Sequence, residues 1–284
     1  MEGIPYEVAF WNNTYRWRSA FEGLMNWSHL GRQISLEGFD ANDYLSPLPS
    51  PCVLDVGAGL SFAPGSFITV DGQQRPLDIH YIDPLAAYFN RIARRHHRHV
   101  PLVEFGMMEH LSSCPHHNVD LVIIQNALDH AANPLTGIYE ALETLRTGGI
   151  LYLNHHPNEA EVEHYRGFHQ WNITDEEHRL IIWNRQQRHD VNALLADFAE
   201  VEVLQANGHV VALIRKTSGV PPILLSDKRE VPQLTERLTA SDGCITLSDG
   251  LRPLLTYWRW NAFQWVAQSF SLKHRMFIKR LLRR

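Results

Sequence analysis

Apolar residues in the first 45 positions recur at mixed three- and four-residue spacing: Phe10, Trp11, Tyr15, Trp17, Phe21, Leu24, Met25 and Trp27. That spacing predicts helix from Pro5 to about Leu45. Pro47, Pro49 and Pro51 then break the pattern. Beyond them come short unbroken apolar runs separated by helix-length segments. Cys52–Val56 is the first and stops at Gly57, as a strand buried on both faces does. His80–Asp83, Val100–Phe105, Asp120–Ile124 and Ile150–Leu153 repeat the pattern. Helices are expected between them over Pro84–Arg95 and Pro134–Leu145, each opening on a proline. Gly148-Gly149 is expected to close the second helix. A later helix is expected over Val191–Phe198, then strands Val201–Leu204 and Val210–Ile214 joined through Ala206-Asn207-Gly208, a hairpin signal.

Strands alternating with helices imply right-handed crossovers and an α/β, doubly wound, mostly parallel sheet, here ending in an antiparallel strand pair. The expected organisation is a helical region at 1–45, a core at 46–217 with an insertion at 154–186, and an extension at 218–284. There is no internal repeat or low-complexity tract.

Charge sharpens this division. Of the 26 Lys/Arg, eight lie from Gly250 onward, where there is no Asp or Glu, so residues 1–249 carry −13. An acidic body argues against nucleic acid as its partner. The tail interleaves Tyr257, Trp258, Trp260, Phe263, Trp265, Phe270, Phe277 and Ile278 with Arg259, Lys273, Arg275, Lys279 and Arg280. Tyr257–Phe270 reads as packing on the core, and the last dozen residues as peripheral contact with an anionic membrane. No run has the length of a membrane span, and Met1–Phe10 does not read as a signal peptide. Cys52, Cys114 and Cys244 lie far apart, which fits a reducing cytoplasm.

The strongest chemical signal is Asp55-Val56-Gly57-Ala58-Gly59 at the end of the first strand. Two glycines let the backbone turn sharply and approach a ligand, and ligands of such sheets bind outside the carboxyl ends of the strands. A dinucleotide fingerprint wants a third glycine, where this chain has Phe62. Asp55 would repel a pyrophosphate and attract a cation. Asp83 ends the second strand, where a carboxylate accepts hydrogen bonds from ribose hydroxyls; before Pro84 it is also a good helix cap.

The segments Val53-Leu-Asp-Val-Gly-Ala-Gly59, Tyr81-Ile-Asp83 and Asp120-Leu-Val-Ile-Ile-Gln-Asn-Ala-Leu-Asp-His130, in this order, resemble the successive motifs of class I S-adenosylmethionine-dependent methyltransferases of the type 11 branch. Asn133-Pro-Leu and Leu145-Arg-Thr-Gly-Gly-Ile-Leu-Tyr-Leu153 continue the likeness. The resemblance implies a seven-stranded Rossmann-like sheet with S-adenosylmethionine as cofactor. By position, Asp55, Gly57, Ala58 and Gly59 would hold the methionine portion, and Asp83 with Pro84 the ribose. Gln125 and Asn126 would line the sulfonium. Met108 and Glu109 would lie at the adenine, with Met107 where the branch often has a carboxylate.

The acceptor is expected beside the segment after the fifth strand. His155 and His156 are candidate bases for a hydroxyl acceptor, with His130 and Asp129 as rivals. His169, Gln170, Trp171 and Asn172 are candidate substrate residues: Trp171 and Trp183 for stacking on sugar faces, the amides for hydroxyls. The stretch from Asn154-His-His to His169-Gln-Trp-Asn172 and Ile181-Ile-Trp-Asn184 also resembles methyltransferases of bacterial surface-polysaccharide clusters. That implies O-methylation of a sugar hydroxyl on a small-molecule or lipid-linked glycan. The chain has 17 histidines, so clusters also arise by composition. A metal held by His155, His156, Glu159 and Glu163 is weighed against Pro157 and the lack of an HxxxH pair, and no metal is expected. The rivals are a nicotinamide-dependent epimerase or reductase and a non-catalytic methyltransferase-like scaffold.

Overall fold

The computed structural model describes residues 3–225, 243–245 and 251–269. Three short helices stand where one long helical stretch is expected: α1 (Gly3–Arg16), α2 (Arg18–Trp27) and α3 (Ala41–Leu45). Trp17 is extended between α1 and α2. Gly31 and Gly38 take φ of 73° and 70° in the connection to α3, a conformation a helix cannot contain.

The chain then enters β1 (Cys52–Val56) and a hairpin of β2 (Phe67–Val70) and β3 (Gln73–Pro76), which the apolar pattern does not announce. β4 (Asp78–Asp83), α4 (Ala86–Arg95), β5 (Val103–Phe105) and β6 (Val119–Gln125) follow. α5 (Pro134–Thr144) is capped by the Asn133 side chain, which accepts from the Thr136 amide at 3.2 Å. Gly148-Gly149 does not close that helix. α5 ends at Thr144, and both glycines lie inside β7 (Leu145–His155), beside a register shift against β6.

The insertion holds α6 (Glu159–Val162) and a small antiparallel sheet of β8 (Asn172–Glu176), β9 (Arg179–Trp183) and β10 (Arg188–Asp190). After α7 (Val191–Leu195) come β11 (Ala199–Ala206) and β12 (His209–Lys216). Their turn at Asn207-Gly208 has φ of 49° and 84°, as the Asn-Gly signal predicts.

The main sheet has the order β11-β12-β7-β6-β1-β4-β5. β7, β6, β1, β4 and β5 run parallel; β12 is antiparallel to β7 and β11. Central position explains the apolar runs. In β1 and β6, alternate residues face opposite layers, so both sets are buried. Leu54, Val56, Val122 and Ile124 meet Ile138 and Leu142 of α5, while Val53, Leu121 and Ile123 meet Ala41 and Leu45 of α3.

α8 (Leu251–Ser269) returns to the N-terminal helix. Asn12 and Asn13 donate to Asn261 at 3.1 and 2.9 Å, and the Tyr6 and Trp260 rings meet edge-on at 4.8 Å. No described helix is long and apolar enough to cross a membrane. The basic stretch from Lys273 to Arg284 lies outside the described residues.

Candidate functional site

The strand order reverses beside β1: β4 follows it on one flank, and the chain later returns on the other as β6. A crevice forms at the carboxyl ends of strands where order reverses, so the loops after β1, β4 and β6 face it.

On the β1 side the glycine loop is fastened to β4. The amides of Gly57 and Ala58 both donate to the Ile82 carbonyl, at 2.8 and 3.2 Å. Gly57 and Gly59 have φ of 72° and 55°. A Cβ on Gly57 would lie 2.3 Å from the Ala127 methyl, and one on Gly59 2.7 Å from the Trp11 ring. Only glycine fits either place. Asp83 accepts from the Gly59 amide at 3.0 Å and the Leu85 amide at 2.8 Å, so its carboxylate holds the loop and the entry to α4 together. Each oxygen keeps a further lone pair for a hydroxyl.

Asp55 is buried, and its Oδ2 has no hydrogen-bond partner among the described residues. Burial and the neighbouring Asp83 push its carboxyl up to about 8. Burial also pushes Asp83 up to about 6, opposed by the Leu85 and Gly59 amides. A buried orphan carboxylate oxygen beside a second carboxylate is a place made for a cation. The ammonium of a methionine moiety fits Asp55, and ribose hydroxyls fit Asp83.

The other expected cofactor residues differ in what they offer. Gln125 ends β6 part-buried, and the exposed Asn126 (φ 47°) accepts from the His156 amide at 3.0 Å. Pro84 leads into α4. Met108 is buried against Gly137. Glu109 engages one carboxylate oxygen within the fold. Its Oε1 accepts from the amides of Ala132 and Asn133 at 2.8 and 3.4 Å, and so secures the start of α5.

The side expected to face the acceptor is assembled from three separate segments. Asp129 and His130 lie in the 3-10 turn Leu128–His130 after β6. His169, from the insertion, places Nδ1 2.7 Å from Asp129 Oδ2 and 3.2 Å from His130 Nε2. Two hydrogen bonds bind the insertion to that turn: the Gln170 amide donates to the Asp129 carbonyl, and the Trp171 indole donates to the Ala131 carbonyl, both at 3.1 Å. Although burial opposes it, the hydrogen bond and charge of Asp129 leave the His169 imidazole raised; burial lowers His130. Burial is likewise outweighed at Asp129, where the two imidazoles hold the carboxyl below its usual range. His155 ends β7 fully buried, pushed down to about 4, with Nε2 unpartnered among the described residues.

Three of the expected residues differ from the others in their surroundings. His156 is exposed and meets the His209 ring edge-on at 4.4 Å. Trp171 is buried in the core with its indole N–H engaged, so it has no face for a sugar. Asn172 is wholly buried, accepting from the Glu161 amide and donating to the Tyr165 hydroxyl. Both hold the insertion together. Gln170 is exposed, its amide donating to the Tyr165 and Gly167 carbonyls.

The third segment is α1, which sequence reasoning assigned no part in the site. Gly3, Glu7, Trp11 and Tyr15 recur every four residues, hence on one helix face. Gly3 lies against the Phe168 ring, Trp11 against Gly59, and the Tyr15 hydroxyl donates to the Leu60 carbonyl at 2.9 Å. The helix therefore crosses the cleft from the insertion to the glycine loop, with Glu7 between. Burial pushes Glu7 up to about 7; His169 opposes this, while Asp83 and Asp129 add to it. The spacing is visible in the sequence, but which face matters is not.

Residues 54–153, from β1 to β7, match the family described as "Methyltransferase domain". This stretch is a methyltransferase domain. Its cofactor is S-adenosylmethionine, and the glycine loop, Asp55 and Asp83 of the methyltransferase domain offer the groups to hold it. No curated protein matches the chain. Among solved structures, it is similar to the T. thermophilus 16S rRNA N2 methyltransferase RsmC in complex with AdoMet and guanosine (17% identity, 67% of this chain and 43% of that one, TM-score 0.34). It is also similar to the CurJ carbon methyltransferase (22%, 63% and 51%, 0.42) and to the Bradyrhizobium japonicum N-methyltransferase NodS with S-adenosyl-L-homocysteine (15%, 62% and 82%, 0.37). The chain spans about half of the first two or less.

Proposed function

We propose that the protein transfers a methyl group from S-adenosylmethionine to an oxygen, and that the acceptor is a sugar hydroxyl of a cell-surface polysaccharide or related glycan. The observation that carries the reading is the meeting of Asp129, His130, His169 and Glu7 beside Asp55 and Asp83. S-adenosylmethionine supplies a methyl carbon already activated by its sulfonium, so the protein has two tasks. It must orient the acceptor and take up the hydroxyl proton. The polar lining supports a polyhydroxy acceptor: carboxylates accept from hydroxyls, and imidazoles exchange protons near neutral pH. α1 and the insertion cover the cleft and keep water from the methyl group.

The dinucleotide reading meets a physical obstacle at Phe62. This residue is fully buried at φ 50° and packs edge-on against Tyr81 at 4.9 Å, filling the place of the third glycine. Exposed Leu251, Leu255 and Trp258 on α8, followed by the basic stretch, support peripheral contact with an anionic membrane at its cytoplasmic face and hence a lipid-linked acceptor. If the intact chain does not float with anionic vesicles, that part is withdrawn. The main test incubates the protein with methyl-labelled S-adenosylmethionine and a panel of nucleotide sugars and lipid-linked glycans. Label in a sugar methyl ether is expected; label only on amines or carbon would refute O-methylation.

A further inference from the structure

We infer that Asp129, His130 and His169 form a binding site for a divalent first-row transition-metal ion on the acceptor side of the cleft. Their ligand atoms converge: Asp129 Oδ2 to His169 Nδ1 is 2.7 Å, His169 Nδ1 to His130 Nε2 is 3.2 Å, and His130 Nε2 to Asp129 Oδ2 is 3.6 Å. An ion with bonds of about 2.0–2.2 Å to nitrogen and oxygen needs its ligand atoms roughly 2.9–3.6 Å apart. The triangle requires shifts of a few tenths of an ångström at most.

The hydrogen bonding points the same way. His169 Nδ1 carries at most one hydrogen, yet it faces both a carboxylate oxygen and an imidazole nitrogen. One proton cannot serve both well, whereas an ion engages three lone pairs at once. The ligands are also held in advance, since the Gln170 and Trp171 hydrogen bonds fix the backbone bearing His169 against the turn bearing Asp129 and His130. A separate observation is His155 Nε2, 2% exposed and unpartnered among the described residues, in a side chain that feels the charges of both Asp129 and His130. A buried imidazole nitrogen without a partner calls for an explanation, and a bound ion would supply one.

Two imidazoles and one carboxylate suit zinc, manganese or iron(II) better than magnesium or calcium, and three protein ligands leave positions open. An acceptor hydroxyl taking an open position would become more acidic, easing its methylation. That role rests on the proposed methyl transfer; the binding of the ion does not.

The test is calorimetric titration of the full chain, stripped with a chelator, using Zn²⁺ alone and then Mn²⁺ alone. One tight site is expected, weakened roughly 100-fold or more by His169→Ala, by His130→Ala and by Asp129→Asn. Zn²⁺ should raise the melting temperature of the wild type and not of these variants. Melting of each metal-free variant shows whether it folds. His116→Ala is the control, because His80, Glu104 and His116 also cluster, on β4, β5 and the loop before β6. Zn²⁺ binding that persists in His169→Ala, or that is lost in His116→Ala, overturns the proposal, as does the absence of binding of either ion to the wild type. S-adenosyl-L-homocysteine titrated in parallel keeps the two ideas apart: its binding without the metal sinks this site alone, and the reverse sinks the methyl transfer alone.

Discussion

On the cofactor side of the cleft, the decisive groups come from the ends of two adjacent strands, and each is held by backbone close to it in the chain or in the sheet. Asp55 lies near the end of β1 and the glycines follow it, Asp83 ends β4, and two hydrogen bonds from the glycine loop to Ile82 lock them together. On the acceptor side, Asp129, His169 and Glu7 come from a turn, an insertion and the first helix, joined only by tertiary contacts. One side is a property of the sheet, and the other depends on how separate segments dock upon it. Changes on the cofactor side should therefore act on binding and stability together, whereas changes on the acceptor side should act on rate.

The largest effect is expected on rate. His169→Ala removes the imidazole held by Asp129, and methyl transfer should fall by about 10²–10⁴-fold, with S-adenosyl-L-homocysteine affinity unchanged in calorimetry. Equal losses of rate and of that affinity would break the division between the two sides.

Gly57→Ala should act the other way. It forces a side chain onto φ of 72° and 2.3 Å from the Ala127 methyl, costing about 2–4 kcal/mol from the left-handed backbone and overpacking. A lowered melting temperature and lost ligand affinity together are the expected result.

A smaller effect follows from pH. Asp55 is raised to about 8 and Asp83 to about 6, so near pH 6 Asp55 carries a proton. A ligand ammonium needs the ionised form. Affinity for S-adenosyl-L-homocysteine should therefore strengthen by about an order of magnitude as pH rises from 6 to 8. The ligand-free folded chain holds these protons more tightly than the unfolded chain does, so its own stability should fall over the same interval. An affinity that weakens with rising pH would contradict the role given to Asp55.

The smallest effect belongs to the clamp on α1. Asn261→Ala removes the side-chain oxygen that accepts from both Asn12 and Asn13, at a cost of about 1–2 kcal/mol. With α1 loosened over the cleft, KM for the acceptor should rise several-fold while the cofactor Kd stays close to the wild-type value.

The same division explains what was legible in the sequence. The Asp55–Gly59 loop and Asp83 are written locally, because a strand that ends in a glycine pair must turn there, and the sheet order then fixes where it turns. β1, β6 and the β11–β12 hairpin were equally plain, from unbroken burial and an Asn-Gly turn. The β2–β3 hairpin was not, since its second strand begins with the polar Gln73-Gln74-Arg75 and only Asp71-Gly72 signals a turn. On the acceptor side, residue type misled in both directions. Trp171 and Asn172 look like ligand residues but spend their polar atoms inside the fold, and Glu109 sets one carboxylate oxygen on the start of α5. Glu7 looks like an ordinary polar position on an amphipathic helix, and only the docking of α1 between Phe168 and Gly59 brings it to the cleft.

The measurement that tests the central claim most directly is calorimetric titration of S-adenosyl-L-homocysteine into the wild type and Asp83→Ala. We expect one site with micromolar Kd in the wild type, weakened roughly 100-fold in the variant as two charged hydrogen bonds to ribose are lost. Wild-type protein that binds NAD or NADP and not S-adenosyl-L-homocysteine would contradict the account and return the cleft to a reductase.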